Sequence, residues 1–386
     1  MNVLHLFWVF FCLGCTSFGG PIAHLGYFRA ELVEKRRWLG EQQYADLVAL
    51  CQIIPGPASS QVGIGIGYLR GGYLGAVAAW LGFTLPSAVL MLLFAMGFSH
   101  WQGGWAEVWI HSLKLFAVIV VAGAVWGMAK AFCRSLPAVW IAVLSCGVLV
   151  FSSRIAVQLA VIGVAALLGL RFLPAAVKPA SQAVMPSANK RLPWLWLAVF
   201  AGLLLVLPWL ADSASGRFLD IFYRTGAMVF GGGHVVLPVL SAQLVPEYLD
   251  ESVFLSGYGL AQIVPGPLFS FASFLGYAAG GAGFAVWATL ALFLPSFLLV
   301  FGVLPYWFEW SENRQIRAAL NGINAAVVGL LAAALYSPIG TESLHGVTDV
   351  LLVAVLFGIQ LKRPLPLWAV LAVLLSVQSL KYVLVM

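Results

Sequence analysis

The chain has 386 residues, of which 62% are hydrophobic and only 9% are charged, and its mean hydropathy is +0.98. Soluble domains average about 25% charged residues, so this composition excludes a sizeable soluble domain and predicts an all-α polytopic integral membrane protein. The net charge of +6 is explained by the Lys and Arg expected in cytoplasmic loops, so no nucleic-acid partner is predicted.

The predicted elements are of two kinds: uninterrupted apolar runs that are candidate crossings, and apolar segments that Gly or Pro divides in the middle. In chain order they are interrupted segments over 3–33 and 41–70, crossings over 73–97, 111–130, 136–151, 155–170 and 193–210, interrupted segments over 218–245 and 253–280, and crossings over 284–304, 318–336, 347–361 and 365–384. The first apolar run lacks a charged leader and a cleavage site, so it is interpreted as mature structure. The sequence thus predicts about nine full crossings and four broken or re-entrant segments, and full crossing by some broken segments stays open.

Three motifs occur twice, and their copies are separated by almost constant distances. Phe18-Gly19-Gly20, Gln52-x-x-Pro55-Gly56-Pro57 and Leu85-Pro86-Ser87 recur as Phe230-Gly231-Gly232, Gln262-x-x-Pro265-Gly266-Pro267 and Leu294-Pro295-Ser296, at separations of 212, 210 and 209 residues. So constant a separation indicates a duplicated unit. Duplicated halves with helix-breaking residues at matching places are typical of secondary transporters, in which broken helices form the substrate site near the membrane midplane.

Matching loops of the two halves carry opposite charge. The loop over 29–37 is rich in Lys and Arg, whereas its counterpart over 241–252 has only acidic charges; the loop over 99–110 has no Lys or Arg, whereas 309–317 has two arginines. Because Lys and Arg concentrate in cytoplasmic loops, the halves are predicted to be inverted, with the amino terminus inside and the carboxy terminus outside. The predicted organisation is a first repeat over 1–171, a polar cytoplasmic linker over 172–192 and a second repeat over 193–386.

Four longer motifs surround the breaks. They are Ser17-Phe-Gly-Gly-Pro-Ile-Ala-His-Leu-Gly-Tyr-Phe-Arg29, Arg36-Arg-Trp-Leu39, Tyr44-Ala-Asp-Leu-Val-Ala-Leu-Cys-Gln-Ile-Ile-Pro-Gly-Pro-Ala-Ser-Ser-Gln-Val-Gly63 and Phe230-Gly-Gly-Gly-His-Val-Val-Leu-Pro238. With these motifs the chain resembles the chromate ion transporter family, in its long two-domain form, over essentially its whole length. The resemblance implies a multi-pass protein of the bacterial inner membrane that exports chromate by antiport with protons and so gives chromate resistance, with sulfate as a chemical relative of the substrate.

The residues at the breaks also suit an anion. A helix that begins inside the membrane directs unpaired N–H groups and about half a positive elementary charge at the break, Gly lets an oxyanion approach the backbone, and Pro in the first turn removes no needed donor. The predicted cradle is Gly19, Gly20, Pro21, Pro55, Gly56, Pro57, Gly232, Gly233, Pro265, Gly266 and Pro267, with donors from Ser17, Gln52, Ser59, Ser60, Gln61, Gln262 and Ser270. The alternative is that Gly and Pro only kink helices and permit close packing, which is favoured for the series Gly63, Gly67, Gly71 and Gly75.

Four titratable or charged residues near the breaks are candidates for proton coupling or anion access: His24, Arg29, Asp46 and His234. A carboxylate within an apolar segment, or an imidazole that titrates near neutral pH, could carry a proton. The alternatives are pairing of Asp46 with a loop arginine, a structural hydrogen bond for each histidine, and a role for Arg29 as a topological anchor.

No enzyme, metal or cofactor is predicted. The acids and histidines show no metal or catalytic spacing, and Cys12-x-x-Cys15 lies in an apolar run without further ligands nearby. The expected partners are a small inorganic oxyanion (chromate, and sulfate as a relative), protons and the lipid bilayer, with a homodimer left open. The alternative functions are a transporter or channel for sulfate or another small oxyanion, although a channel gives no reason for two inverted halves.

Overall fold

The computed structural model describes residues 2–18, 20–98, 104–152, 154–173, 191–229, 235–307, 313–363 and 365–385, and within them the chain is helical without a β-strand. The helices are α1 (Val3–Thr16), α2 (Gly20–Phe28), α3 (Glu41–Ile53), α4 (Ala58–Phe98), α5 (Gly104–Phe132), α6 (Leu136–Phe151), α7 (Ile155–Phe172), α8 (Arg191–Val206), α9 (Ala214–Met228), α10 (Val236–Leu244), α11 (Glu251–Ile263), α12 (Phe271–Gly280), α13 (Ala282–Val303), α14 (Arg314–Ala334), α15 (Val347–Lys362) and α16 (Leu367–Val385). The predicted all-α polytopic architecture is confirmed.

Six helices in the described part of the chain are long and apolar enough to cross a bilayer. They span Ala58–Phe98, which contains a break at Gly71 and Gly72, Gly104–Phe132, Leu192–Leu210, Ala282–Tyr306, Arg314–Ser343 and Leu367–Leu384. The predicted crossings over 136–151, 155–170 and 347–361 coincide with α6, α7 and α15, which have 16, 18 and 16 residues and so lie at or just below the lower end of the range of about 17–25 that a full crossing needs. The count of nine crossings therefore stays a prediction.

Each of the four interrupted segments is a pair of helices, as the sequence predicts. The breaks fall between α1 and α2, α3 and α4, α9 and α10, and α11 and α12. A π-helical turn, Arg29–Lys35, continues α2 into the basic loop. Proline lacks an amide donor and glycine adopts conformations that other residues avoid, so the helical ladder ends where they cluster.

A second kind of break joins each interrupted segment to the next long helix. Within α4 the backbone is non-helical at Gly71 and Gly72 (φ −148° and +63°), so the stretch is two helices that reverse direction there. Gly67 and Gly75 then face each other so closely that a Cβ on either would overlap the other's carbonyl oxygen. Gly281, with φ +82°, separates α12 from α13 at the matching place in the second half. The packing interpretation of the glycine series is confirmed for Gly67 and Gly75.

Helices of the two predicted repeats pack directly on each other. α14 lies against α6 and α7, and added Cβ atoms on Gly322 and Gly329 would overlap the carbonyl oxygens of Ala165 and Ala142. Such close backbone approach through small residues is how helices associate in membranes, where apolar surfaces gain little from leaving lipid. Most of the predicted linker over 172–192 lies outside the described residues.

Candidate functional site

The two Pro-Gly-Pro loops have the same backbone course. Ile54 and Val264, which end α3 and α11, are extended with ψ of 146° and 134°, the conformation that a residue before proline prefers. Gly56 and Gly266 follow with φ of +127° and +105°, which side chains with a Cβ rarely adopt. The helical chain resumes at Ala58 in the first half and in a 3₁₀ turn, Leu268–Ser270, in the second.

Each Pro-Gly-Pro loop is hydrogen-bonded to the first break of the other half. The Gly56 amide donates to the Val229 carbonyl oxygen at 2.6 Å, and the Gly266 amide donates to the Ser17 carbonyl oxygen at 2.9 Å. Ser17 and Val229 are matching residues, because each directly precedes a Phe-Gly-Gly motif. The four breaks therefore meet in two crossed pairs, and we call this arrangement the crossed break centre.

The serines of the Leu-Pro-Ser motifs belong to the same centre. A Cβ added to Gly56 would lie 2.7 Å from Ser296 Oγ, and one added to Gly266 would lie 2.7 Å from Ser87 Oγ. Both serines are fully buried. From the sequence, these motifs were interpreted only as markers of duplication, and the two serines were not predicted as site residues. The signal that could have indicated them is that they recur at the same spacing as the Gly and Pro motifs.

Several buried polar groups at the centre have no hydrogen-bond partner among the described residues. They are Ser17 Oγ, Ser60 Oγ, Gln61 Oε1 and Gln262 Nε2. An unsatisfied buried group costs about 1–3 kcal/mol, so a cluster of them calls for an explanation. The serine hydroxyls and the Gln262 amide are donors, as an anion requires.

Gln61 holds the first loop rather than facing outward from it. Its Nε2 donates to the Pro55 carbonyl oxygen at 2.6 Å and lies 3.5 Å from Ser296 Oγ. Its side chain is fully buried. Gln52, by contrast, is exposed on α3, so the two predicted glutamines of the first half differ in their surroundings.

His24 lies beside the amino terminus of α4. Its Nδ1 is 3.4 Å from Ser59 Oγ, its ring meets Phe83 edge to face, and it is only 1% exposed. Ser59, Ser60 and Ser270 are all buried as well. The structure thus brings His24 and Ser59 together at one helix start.

Arg29 lies away from this buried group, in a surface network of ion pairs. Its guanidinium donates to both carboxylate oxygens of Glu41 at 3.0 Å and is 3.6 Å from Glu34. The hydrogen bonds from Arg29 hold the pKa of the Glu41 carboxyl below its usual range. Two carboxylates therefore compensate the Arg29 charge, an arrangement that suits a topological anchor.

Asp46 is half-buried on α3. Its Oδ1 accepts a hydrogen bond from Gln42 Nε2 at 3.1 Å, and its Oδ2 is buried without a partner among the described residues. The loop arginines Arg29 and Arg36 form ion pairs with Glu41 and Glu31 instead. The alternative of pairing with a loop arginine is therefore not what the structure shows.

The predicted site residues Gly19, Gly232, Gly233 and His234 lie outside the described residues.

Known proteins are similar to this chain in sequence over most of its length. The family model described as chromate transporter matches residues 4–170 and 216–377. A probable chromate transport protein of Synechococcus elongatus is 28% identical over 363 residues, which cover 92% of this chain and 90% of the relative. The chromate transport protein of Cupriavidus metallidurans is 30% identical over 332 residues, covering 84% and 80%, and that of Pseudomonas aeruginosa is 29% identical over 360 residues, covering 86% and 80%. No solved structure matches the chain. Two matched segments over most of its length place the chain in the chromate transporter family.

Proposed function

We propose that this protein is a secondary active transporter that exports chromate across the bacterial inner membrane, driven by protons moving inward. The observation that carries the proposal is the crossed break centre, where helix starts and unpartnered buried donors meet in a chain of the chromate transporter family. Relatives named chromate transport proteins, which align over most of this chain, support chromate as the substrate.

The centre suits a tetrahedral dianion for two physical reasons. The first N–H groups of a helix have no partner within the helix, and the helix dipole adds about half a positive charge there. α4 begins at the first Pro-Gly-Pro loop and α2 begins at Gly20. Further donors come from the hydroxyls of Ser17, Ser59, Ser60 and Ser270 and from the amide of Gln262. The anion therefore exchanges its hydrogen bonds to water for hydrogen bonds to groups that the fold already holds in place.

The backbone around each Gly is part of this proposed site. We assign Gly20, Pro21, Gly56 and Pro57 in the first half to it, with Pro265, Gly266 and Pro267 as their counterparts in the second half. Gly19, Gly232 and Gly233 complete the same proposal from the sequence. Gln52, on α3 before the first loop, stays in the proposal from the sequence, and the contact of Gln61 Nε2 with the Pro55 carbonyl oxygen makes Gln61 a positioning residue.

Alternating access follows if the two repeats are inverted. The breaks of one repeat then enter the central site from the cytoplasmic side, and those of the other repeat enter it from the outer side. A relative rocking of inverted repeats about a fixed central site is the usual mechanism of such transporters. The crossed pairs Gly56–Val229 and Gly266–Ser17 are the contacts between halves that such a motion would have to preserve or exchange in turn.

His24 is our first candidate for proton coupling, with Asp46 and His234 as the others. His24 is buried against Ser59, one of the proposed donors to the anion, so a change in its protonation would change how that donor is presented. Exchange of outward chromate for inward protons requires that the two be bound in alternate steps and not together. This coupling rests on the proposed anion site.

The test is chromate accumulation in inside-out vesicles that contain the protein. We expect radiolabelled chromate to accumulate against its gradient, accumulation to collapse with a protonophore, and excess sulfate to compete to a measurable extent. Vesicles from cells without the protein are the control. Inserted protein that accumulates no chromate would overturn the assignment.

The alternatives are distinguished by the same vesicles. A channel would equilibrate chromate without concentrating it and would not respond to the protonophore. Accumulation of sulfate but not of chromate would indicate a transporter for another oxyanion on the same scaffold.

A homodimer stays a proposal, tested by the mass of the purified protein in detergent.

A further inference from the structure

A second group of polar side chains lies outside the crossed break centre. His111 is on α5, His345 precedes α15, and Asp349 is in the first turn of α15. Lys381, near the end of α16, lies beside them. Three helices therefore bring these residues together at the end of the bundle where α5 begins.

The three possible metal ligands already converge. His111 Nε2 is 3.1 Å from Asp349 Oδ2, and one ligand atom from each of His111, His345 and Asp349 lies within 4.8 Å of the others. Asp349 is only 4% exposed, while His345 is exposed. The group is therefore buried at its carboxylate and open to solvent at one imidazole.

We propose that His111, His345 and Asp349 bind a divalent transition-metal cation of the Zn²⁺ class. Two imidazoles and a carboxylate are a common ligand set for Zn²⁺, with a fourth tetrahedral position left for water. Two imidazoles bound at about 2.0–2.1 Å with a tetrahedral angle have ring centres about 5 Å apart. The rings of His111 and His345 have centres 5.2 Å apart.

The surroundings of Asp349 match those of a ligating carboxylate. Its Oδ1 accepts hydrogen bonds from Lys381 Nζ at 3.1 Å and from Gln378 Nε2 at 3.4 Å, and the His345 amide donates to Oδ2 at 3.3 Å. Ligands in metal sites are usually oriented by outer hydrogen bonds of this kind. Both oxygens are thus held by hydrogen bonds, and Oδ2 also lies 3.1 Å from His111 Nε2.

The simpler explanation is a structural ion pair between Asp349 and Lys381 that needs no metal. That pair uses Oδ1, and a hydrogen bond with His111 Nε2 accounts for Oδ2. Neither contact explains why the second imidazole, that of His345, lies beside the first. Lys381 also opposes a bound cation through like-charge repulsion. A metal site therefore predicts that removing the lysine charge raises metal affinity, whereas a metal-free ion pair predicts that the chain binds no stoichiometric metal in the first place.

The test uses the purified full chain in detergent, with Co²⁺ and Zn²⁺ as probes. We expect one equivalent of Co²⁺ to give the visible absorption of a tetrahedral site, and Zn²⁺ to displace it. His345→Ala should weaken Zn²⁺ affinity about tenfold or more, and Lys381→Gln should strengthen it. Because His345 is exposed, its substitution should leave the fold intact, as the elution profile of the protein would show.

The matched control is His5→Ala. His5 is also exposed, and it contacts Trp38 and Arg36 instead of this group. It should leave Co²⁺ absorption and Zn²⁺ affinity unchanged. The proposal is overturned if the wild-type chain takes up no Co²⁺, or if His345→Ala binds both metals as the wild type does. These readouts do not involve chromate, so they stand apart from the transport test.

Discussion

At the scale of the residue, Gly56 has two independent reasons to be glycine. Its φ of +127° is strained for any residue with a Cβ, at a cost of about 1–3 kcal/mol. An added Cβ would also overlap Gln61 Nε2 and lie 2.7 Å from Ser296 Oγ. We therefore predict that Gly56→Ala abolishes chromate accumulation in vesicles and lowers the thermal midpoint of the purified protein.

Two glycines provide controls that separate these causes. Gly72 has φ +63° but open space around its Cβ position, and Gly123 has open space within a regular helix. Gly72→Ala should lower the thermal midpoint through backbone strain alone, without a steric overlap. Gly123→Ala should resemble the wild type in both chromate accumulation and thermal midpoint. Normal transport by Gly56→Ala would remove the first loop from the site.

Glu251 gives a prediction of pH dependence. Burial raises the pKa of this carboxyl, nearby Glu342 raises it further, and Lys114 opposes both. A raised pKa means that folding favours the protonated form, so this stabilisation is present below the unfolded value and lost as pH rises through the folded one. Glu251→Gln should therefore raise the thermal midpoint at neutral pH, and the difference should vanish at about pH 4, near the unfolded pKa.

The measurement is a series of thermal midpoints for both proteins across that pH range. Glu247→Gln is the matched control: Glu247 is exposed and paired with Arg217 on the surface, where ion pairs contribute little. If the Glu251→Gln difference had the same size at every pH, ionisation of this carboxyl would not be its cause.

The sequence predicted individual site residues unevenly. Ser59, Ser60 and Gly56 could be anticipated because they adjoin a break that local proline and glycine create. Ser296 could not, because its neighbour Gly56 lies 240 residues away and only the fold joins them. The surroundings of Arg29 were equally hidden, since a basic residue in a loop does not reveal which carboxylates will pair with it.

At the scale of the element, helix breaks were predictable and helix pairings were not. Pro and Gly act on their own segment of chain, so the ends of α3 and α11 follow from the motifs themselves. The packing of α14 between α6 and α7 depends on side chains from separate segments. Apolar composition gives little guidance there, because almost every face of these helices is apolar.

The reversal within α4 supports a prediction at this scale. Gly67 and Gly75 meet backbone to backbone, so Gly67→Ala inserts a methyl group where there is no room. Overpacking of this kind costs about 1–3 kcal/mol. We expect a lower thermal midpoint and less folded protein after extraction from the membrane.

Gly127→Ala in α5 is the control, because nothing lies near its Cβ position. It should match the wild type in yield and thermal midpoint. Equal stability of Gly67→Ala and Gly127→Ala would mean that the two parts of α4 separate enough to admit a methyl group.

At the scale of the whole molecule, the inverted arrangement of the repeats is still a prediction. It can be tested by labelling single cysteines from each side of the membrane, in a background from which the five native cysteines have been removed. Glu34 and Asp250 are exposed residues in the matching loops. Glu34→Cys should react with an impermeant reagent only from the cytoplasmic side, and Asp250→Cys only from the outer side.

Labelling of both positions from one side would instead make the repeats parallel. That result would leave the crossed hydrogen bonds intact as observations but would remove the basis for alternating access by inverted repeats. Transport by the cysteine-free background must be measured first, because Cys51 is buried in the core.

The crossed hydrogen bonds also bear on how such a chain can evolve. The amide of Gly56 finds its acceptor in the second half, and that of Gly266 finds its acceptor in the first. Neither copy can complete its own loop, so each half needs the backbone of the other half in place to satisfy its glycine amide. If the gene were split between α7 and α8, the two products would be obligate partners, each folding fully only when the other is made.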